Sequence, residues 1–186
     1  VAGKIVWLYP FLVNLRLQEM KWFKEKEFAC KCCGELPPLA RANVRALVDN
    51  VLDPVRNLYG GAIRVTSGYR CERHNKEVGG AERSQHLCGE AADIVLVGLP
   101  LTAYGLQELA RLIVMNGRWD QLILEDVPRN GLAPKWVHVS FRKDGRNRKQ
   151  ILKKYAGSRV YTPVSEAEIL SGKTAQRETR KEVLGL

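Results

Sequence analysis

No apolar run at the start of this chain suits a bilayer. The leading one, Ile5 to Val13, is broken by Pro10 and falls well short of the ~20 residues a spanning helix needs. No small-residue cleavage site follows it, only Asn14, Arg16 and Gln18, so it is a poor signal-peptide core. An even set of cysteines is also lacking. The five are Cys30, Cys32, Cys33, Cys71 and Cys88, which argues against a secreted disulfide framework and for synthesis in a reducing cytosol. Acidic residues are scarce, 20 against 30 Lys and Arg, giving a net charge of +10. That balance favours polyanionic partners (nucleic acid, anionic wall polymers, membrane surfaces) or a basic tail that keeps the protein soluble. There is no internal repeat. Val78-Gly79-Gly80-Ala81 has no Gly-Lys-Ser/Thr after it, so it is not a phosphate loop.

What is present fits one domain with a tail. A hydrophobic fraction of 45% over 186 residues supports a core without disulfides. Residues 1–19 read as a leader, since the first residue is Val1 and Met20 offers an alternative start, or else as a first packing helix of the fold. Residues 20–160 read as the domain and 161–186 as a charged tail. Leu39, Val44, Leu47, Val48, Val51, Leu52, Val55 and Leu58 recur at helical spacing from Leu39 to Tyr59. Pro54 is expected to kink or split that helix, and Gly60-Gly61 to stop it. Ala62 to Ser67 alternates as a half-buried strand, and Gly68-Tyr69-Arg70 turns off its end. His74 falls in the loop that follows and reads as a hydrogen-bonding residue.

Ile94 to Val97 reads as a buried strand with Asp93 where a loop enters it. A helix runs from a cap at Thr102 to about Asn116. Strands Trp119–Glu125 and Lys135–Phe141 are expected to pair antiparallel, with Glu125 near the start of the second. Residues 142–154 read as a basic mobile loop, with Tyr155, Val160 and Tyr161 closing back onto the domain. Ser165 and Glu168 form a capping box for a short helix.

The chemistry gathers on Ser84-Gln85-His86-Leu87-Cys88-Gly89-Glu90-Ala91-Ala92-Asp93-Ile94. Small residues let the loop fold back and bring His86 beside Asp93. His138, mid-strand on the face opposite an apolar row, is the third candidate ligand. Each alone is more often a satisfied polar group, but two imidazoles and one carboxylate are the protein ligand set of a catalytic zinc site. Arg70 at a strand end is either a holder of a substrate anion or an ion-paired surface arginine. Cys30-x-x-Cys33 is compatible with zinc, a redox loop, or a turn with buried thiols; no second pair lies near it in sequence.

Ser84-x-His86-x-x-Gly89-x-Ala91-x-Asp93, preceded by Ser67-Gly68-Tyr69-Arg70 and followed by Trp136-Val137-His138, resembles the zinc D-Ala-D-Ala carboxypeptidase family over about Phe23 to Phe141. D-Ala-D-Ala dipeptidases, several phage endolysins and the hedgehog signalling domain share that fold. The resemblance implies an α+β protein with a small antiparallel sheet, one Zn²⁺ on His86, Asp93 and His138, and Arg70 against substrate. Phe23-x-x-x-x-Phe28-x-Cys30 and Trp136 to Phe141 look most like the phage- and prophage-associated branch. One position departs. Lys135 stands where many members carry the catalytic carboxylate, so Glu125 is the expected base, with Asp126 second. Arg70, Ser84 and Trp136 are expected on the substrate side.

The implied activity is hydrolysis of an amide in peptidoglycan stem peptides by zinc-activated water, as a carboxypeptidase or an endolysin-type endopeptidase. The protein is expected to be a monomer, made in the cytoplasm and acting at the cell wall, with anionic wall polymers as further partners. Two rivals remain. One is a catalytically silent, zinc-stabilised binding module on a phage particle or wall, which Lys135 supports. The other is a nucleic-acid binder using Cys30, Cys33 and residues 142–154, which lacks paired zinc knuckles and aromatic platforms.

Overall fold

Pro54 shapes the first helical layer. Proline has no N–H to give to the carbonyl four residues back, and the chain meets this by widening rather than breaking. In the computed structural model, which describes residues 20–97, 103–129 and 134–171, α1 (Pro38–Leu47) passes through one π turn (Val48–Leu52) into α2 (Asp53–Tyr59). The Asn50 carbonyl accepts a hydrogen bond from Asn116 Nδ2 at 2.8 Å instead. Gly60, at φ 73°, ends α2. Val44, Leu47, Val48, Val51, Leu52 and Val55 form the buried stripe. Leu39 and Leu58, which share its spacing, are exposed, because they lie in the first turn of α1 and the last turn of α2.

Among the described residues six strands form one sheet: β1 (Ile63–Ser67), β2 (Ala91–Leu96), β3 (Gln121–Val127), β4 (Trp136–Ser140), β5 (Gln150–Tyr155) and β6 (Tyr161–Pro163), in the order β1-β2-β4-β3-β5-β6. The fold is α+β as expected, but the sheet is mixed rather than small and antiparallel. The β3–β4 hairpin forms as expected, with Glu125 opposite Trp136. After β4 the chain crosses the start of β3 and runs along its far side, so β5 is parallel to β3. Asp120 anchors that crossing: its carbonyl accepts the Gln150 N–H at 3.0 Å and its carboxylate accepts the Arg148 N–H at 2.7 Å. Residues 150–155 are therefore a strand, not the end of a mobile basic loop. Ile151 supplies its apolar anchor in the core.

The two-residue period of a strand separates two faces. Ala92, Ile94, Leu96, Leu122, Leu124, Val137 and Val139 pack with the buried stripe of α1 and α2 and with Leu106, Leu109 and Ile113 of α4 (Ala103–Asn116) in one core. Asp93, Ile123, Glu125, Trp136 and His138 occupy the alternate positions and line a cavity on the other face. Asp93 is the third residue of β2, not the mouth of a loop. His74 lies in a short helix, α3 (Glu72–Glu77), whose N-cap is Cys71. Ser165 Oγ accepts the Glu168 N–H at 3.1 Å and caps α5 (Glu166–Ser171), one half of the expected capping box, while the Glu168 carboxylate lies 3.7 Å from Lys153 Nζ. Thr102, the leader 1–19 and residues 172–186 lie outside the described residues. No helix among the described residues is long and apolar enough to cross a membrane.

Candidate metal centre

Antiparallel pairing sets Asp93 of β2 directly across from His138 of β4. His86 reaches them from a 3₁₀ turn, Gln85–Cys88, whose cap is Ser84: its hydroxyl accepts the His86 N–H at 3.4 Å. The turn ends at Gly89, where φ is +73° and a Cβ would meet the Ala40 carbonyl oxygen at 2.5 Å. Only glycine satisfies both constraints, so the chain can double back here and bring the imidazole to the sheet.

Three donor atoms converge. His86 Nε2 lies 3.1 Å from His138 Nδ1, His138 Nδ1 lies 3.0 Å from Asp93 Oδ1, and His86 Nε2 lies 3.3 Å from Asp93 Oδ1. Ligands at about 2.0–2.1 Å from one tetrahedral ion stand roughly 3.3 Å apart, so the triangle is the right size. His86 Nδ1 donates to the Gly68 carbonyl at 2.6 Å, which leaves Nε2 with its lone pair turned to the cluster. Burial pushes the His86 imidazole below its ordinary value, against the pull of Asp93. With Nδ1 carrying the ring proton, His86 Nε2 and Asp93 Oδ1 would face each other lone pair to lone pair, 3.3 Å apart, unless a cation lies between them. A divalent cation there removes that repulsion, and the residues fit one. His138 Nε2 is buried with no hydrogen-bond partner among the described residues, so it is the Nδ1 side of this ring that is engaged.

Arg70 is ion-paired. Its Nη2 donates to Asp93 Oδ2 at 2.5 Å and its Nε to Ser67 Oγ at 2.8 Å. Burial alone would raise the Asp93 carboxyl, but His86 and His138 hold it well below the usual carboxylate range. The guanidinium also lines the cavity, so it orients a ligand carboxylate while facing the space where substrate would lie. Ser84 and Trp136 line the same cavity, of about 580 Å³.

Glu125 is buried on that face and lines the cavity with the three ligand candidates. Asp126 sits at a bulge with φ 54°, bonds Lys135 Nζ at 3.0 Å and is not part of the cavity wall. Of the two candidate bases, Glu125 is the one on the cavity wall. Its partners were not foreseen: Lys154 Nζ at 2.8 Å and the Tyr161 hydroxyl at 3.4 Å. Burial works against the Lys154 charge, but the bond to Glu125 outweighs it and raises the ammonium pKa. Burial and the Glu125 charge together push the Tyr161 phenol up. Lys153-Lys154 reads from sequence only as positive charge; the parallel register of β5 is what brings Lys154 to Glu125.

A second network holds the cavity's other end. Asp120, fully buried, accepts from Gln85 Nε2 at 2.9 Å and from Arg148 Nη2 at 2.6 Å. Burial opposes its charge, but the Arg148 guanidinium and backbone N–H, with Gln85, draw its pKa below the ordinary value. A depressed carboxyl stabilises the fold above its unfolded pKa of about 3.9 and loses that contribution as pH falls through the folded value. Asp120→Asn is therefore expected to cost about 2 kcal/mol at pH 7, with the gap to wild type narrowing below about pH 4. Urea melts at pH 7 and pH 3 would measure it, and a gap of equal size at both would contradict the assignment.

A mixed sheet and the turn beside it bring two imidazoles, one further candidate ligand carboxylate and a second carboxylate to one cavity, a set of groups that suits a metal-dependent hydrolase. Residues 21–122 match the family model described as Peptidase M15. That is more than half the chain, and the chain belongs to this family of zinc-dependent peptidases. The matched stretch contains Arg70, His86 and Asp93 and ends before Glu125 and His138, which the sheet brings to the same place. Among curated proteins, none matches the chain.

Proposed function

We propose that this protein is a zinc peptidase that hydrolyses an amide bond in peptidoglycan stem peptides, and that His86, Asp93 and His138 hold the ion. The observation that carries the reading is Glu125, a buried carboxylate in the same cavity as the three ligands. A zinc ion held by those three residues would supply Lewis acidity, polarising a carbonyl and acidifying a water. Glu125 takes the water's proton and delivers it to the leaving amine. Lys154 and Tyr161 keep its carboxylate in place. Arg70 keeps Asp93 oriented, and Trp136 offers an apolar wall. Arg83 and Arg148 also line the cavity, which suits a substrate bearing carboxylates. The protein would be made in the cytoplasm and act at the wall, as a monomer, with anionic wall polymers as secondary partners.

One observation favours the alternative, a catalytically silent binding module on a phage particle or wall. Glu125 is in an ion pair with Lys154 at 2.8 Å, so one of its two oxygens is already occupied by an ammonium. Synthetic stem peptides separate the readings. A pentapeptide ending in D-Ala-D-Ala would lose one D-Ala to a carboxypeptidase, and a cross-linked dimer would be split by an endopeptidase, both visible by mass spectrometry. Binding of either without any cleavage in the presence of zinc would leave the silent module standing.

A further inference from the structure

Four of the five cysteines, all but Cys88, meet at one point. Cys30, Cys32 and Cys33 come from the loop before α1, and Cys71 from the N-cap of α3. Their sulfurs all lie within 4.8 Å of one another, with Cys30 Sγ 3.6 Å from Cys32 Sγ and Cys32 Sγ 3.3 Å from Cys71 Sγ. All four are thiols. We propose that they hold a second metal ion, a structural zinc closed by four thiolates, which clasps the N-terminal segment onto the strand end that carries Arg70.

The geometry suits that ion. Sulfurs at about 2.3 Å from one tetrahedral zinc stand roughly 3.8 Å apart; the 3.3 and 3.6 Å separations fall a little below that value, and all lie within 4.8 Å. The group is too tight to surround a cluster of several irons. Thiolates select zinc over calcium or magnesium, which prefer oxygen. Four protein ligands leave no open position, the mark of a structural rather than a catalytic site. Donors already face the sulfurs: the Cys71 N–H to Cys30 Sγ at 3.3 Å, the His74 N–H to Cys71 Sγ at 3.5 Å and Arg73 Nη2 to Cys32 Sγ at 3.5 Å. Such donors and the guanidinium offset the charge that four thiolates bring. The loop is pre-shaped by two backbone bonds, Cys30 N–H to Glu35 O at 2.9 Å and Gly34 N–H to Cys30 O at 2.7 Å. On binding, the four thiols release their protons to solvent and their lone pairs go to the ion.

The clasp has a consequence for the first site. Cys71 follows Arg70, and the same strand end is fastened to the N-terminal segment by the Tyr69 N–H to Phe28 O bond at 2.8 Å. Gly68 lies so close to Phe28 that a Cβ there would stand 2.5 Å from Phe28 Cα. The Gly68 carbonyl holds His86 and Arg70 holds Asp93. Zinc at the cysteines thus fixes the segment from which two ligands of the other centre are oriented.

The test counts zinc on the full chain, purified under reducing conditions, supplied with zinc and desalted. Two ions per chain are expected, falling to one in His138→Ala and to one in Cys71→Ser. Because Cys71→Ser can fail to fold, cobalt substitution in the His138→Ala protein supplies a second readout. A thiolate-to-cobalt charge-transfer band is expected there, since only the cysteines give one, whatever the fate of the histidine site. In the zinc form four thiols should resist a thiol reagent that modifies Cys88 at once. Cobalt without that band, rapid modification of all five thiols in zinc-loaded protein, or a Cys32–Cys71 disulfide persisting in reductant would each overturn the proposal.

Discussion

Glu125→Gln is expected to keep the metal and to lower peptide hydrolysis by about 10²–10⁴-fold, the usual range for removing a general base. The amide has the shape of the carboxylate, so the ligands on β2 and β4 are undisturbed, but it cannot take a proton from water. The substitution also leaves the Lys154 ammonium without its 2.8 Å carboxylate partner. A modest loss of stability is therefore expected beside the loss of turnover. Zinc content and kcat on the same preparation separate the two effects. Normal turnover with Gln at this position would remove Glu125 as the base and return attention to the silent-module reading.

His138→Ala is expected to empty the His/Asp/His centre and abolish hydrolysis. Changes to groups that merely support a ligand cost about 10–100-fold in metal affinity, so deleting a ligand should exceed that. The loss should also appear as stability. An ion that binds only the folded chain raises the melting temperature with its concentration, and the variant should lose the part of that rise due to this site. A His138→Ala protein that holds as much zinc as wild type would dismantle the centre. The converse substitution, Asp126→Asn, should leave hydrolysis within about twofold, since Asp126 faces Lys135 rather than the cavity.

How much of this was visible beforehand follows from the range of each interaction. Ser84 to Asp93 is local, and its glycine and alanines dictate a turn tight enough to set His86 beside Asp93. The β3–β4 hairpin is nearly local, so Glu125 opposite Trp136 and His138 on the cavity face follow from alternation. The mixed sheet was not legible. Gln-Ile-Leu-Lys-Lys-Tyr at 150–155 does not alternate, and it pairs with a strand about thirty residues earlier, Gln121 to Gln150, through a crossing anchored by the single buried carboxylate of Asp120. With that register hidden, Lys154 and Tyr161 had no visible tie to Glu125. The sequence leaves Arg70 as a substrate contact or a surface ion pair. The structure adds that its pair is Asp93, inside the site. Cys71 is separated from Cys33 by a helical layer and a strand, so the sulfur cluster could not emerge from spacing.

The most direct test is digestion of purified peptidoglycan by the zinc-loaded chain, with soluble fragments read by mass spectrometry, beside chelator-treated and Glu125→Gln protein. Fragments cut at one stem-peptide amide are expected from the zinc-loaded wild type alone, with activity restored when zinc is returned to the chelated sample. Intact peptidoglycan with zinc-loaded wild type, or equal cleavage by the Glu125→Gln protein, would contradict a zinc peptidase that uses Glu125 on this substrate.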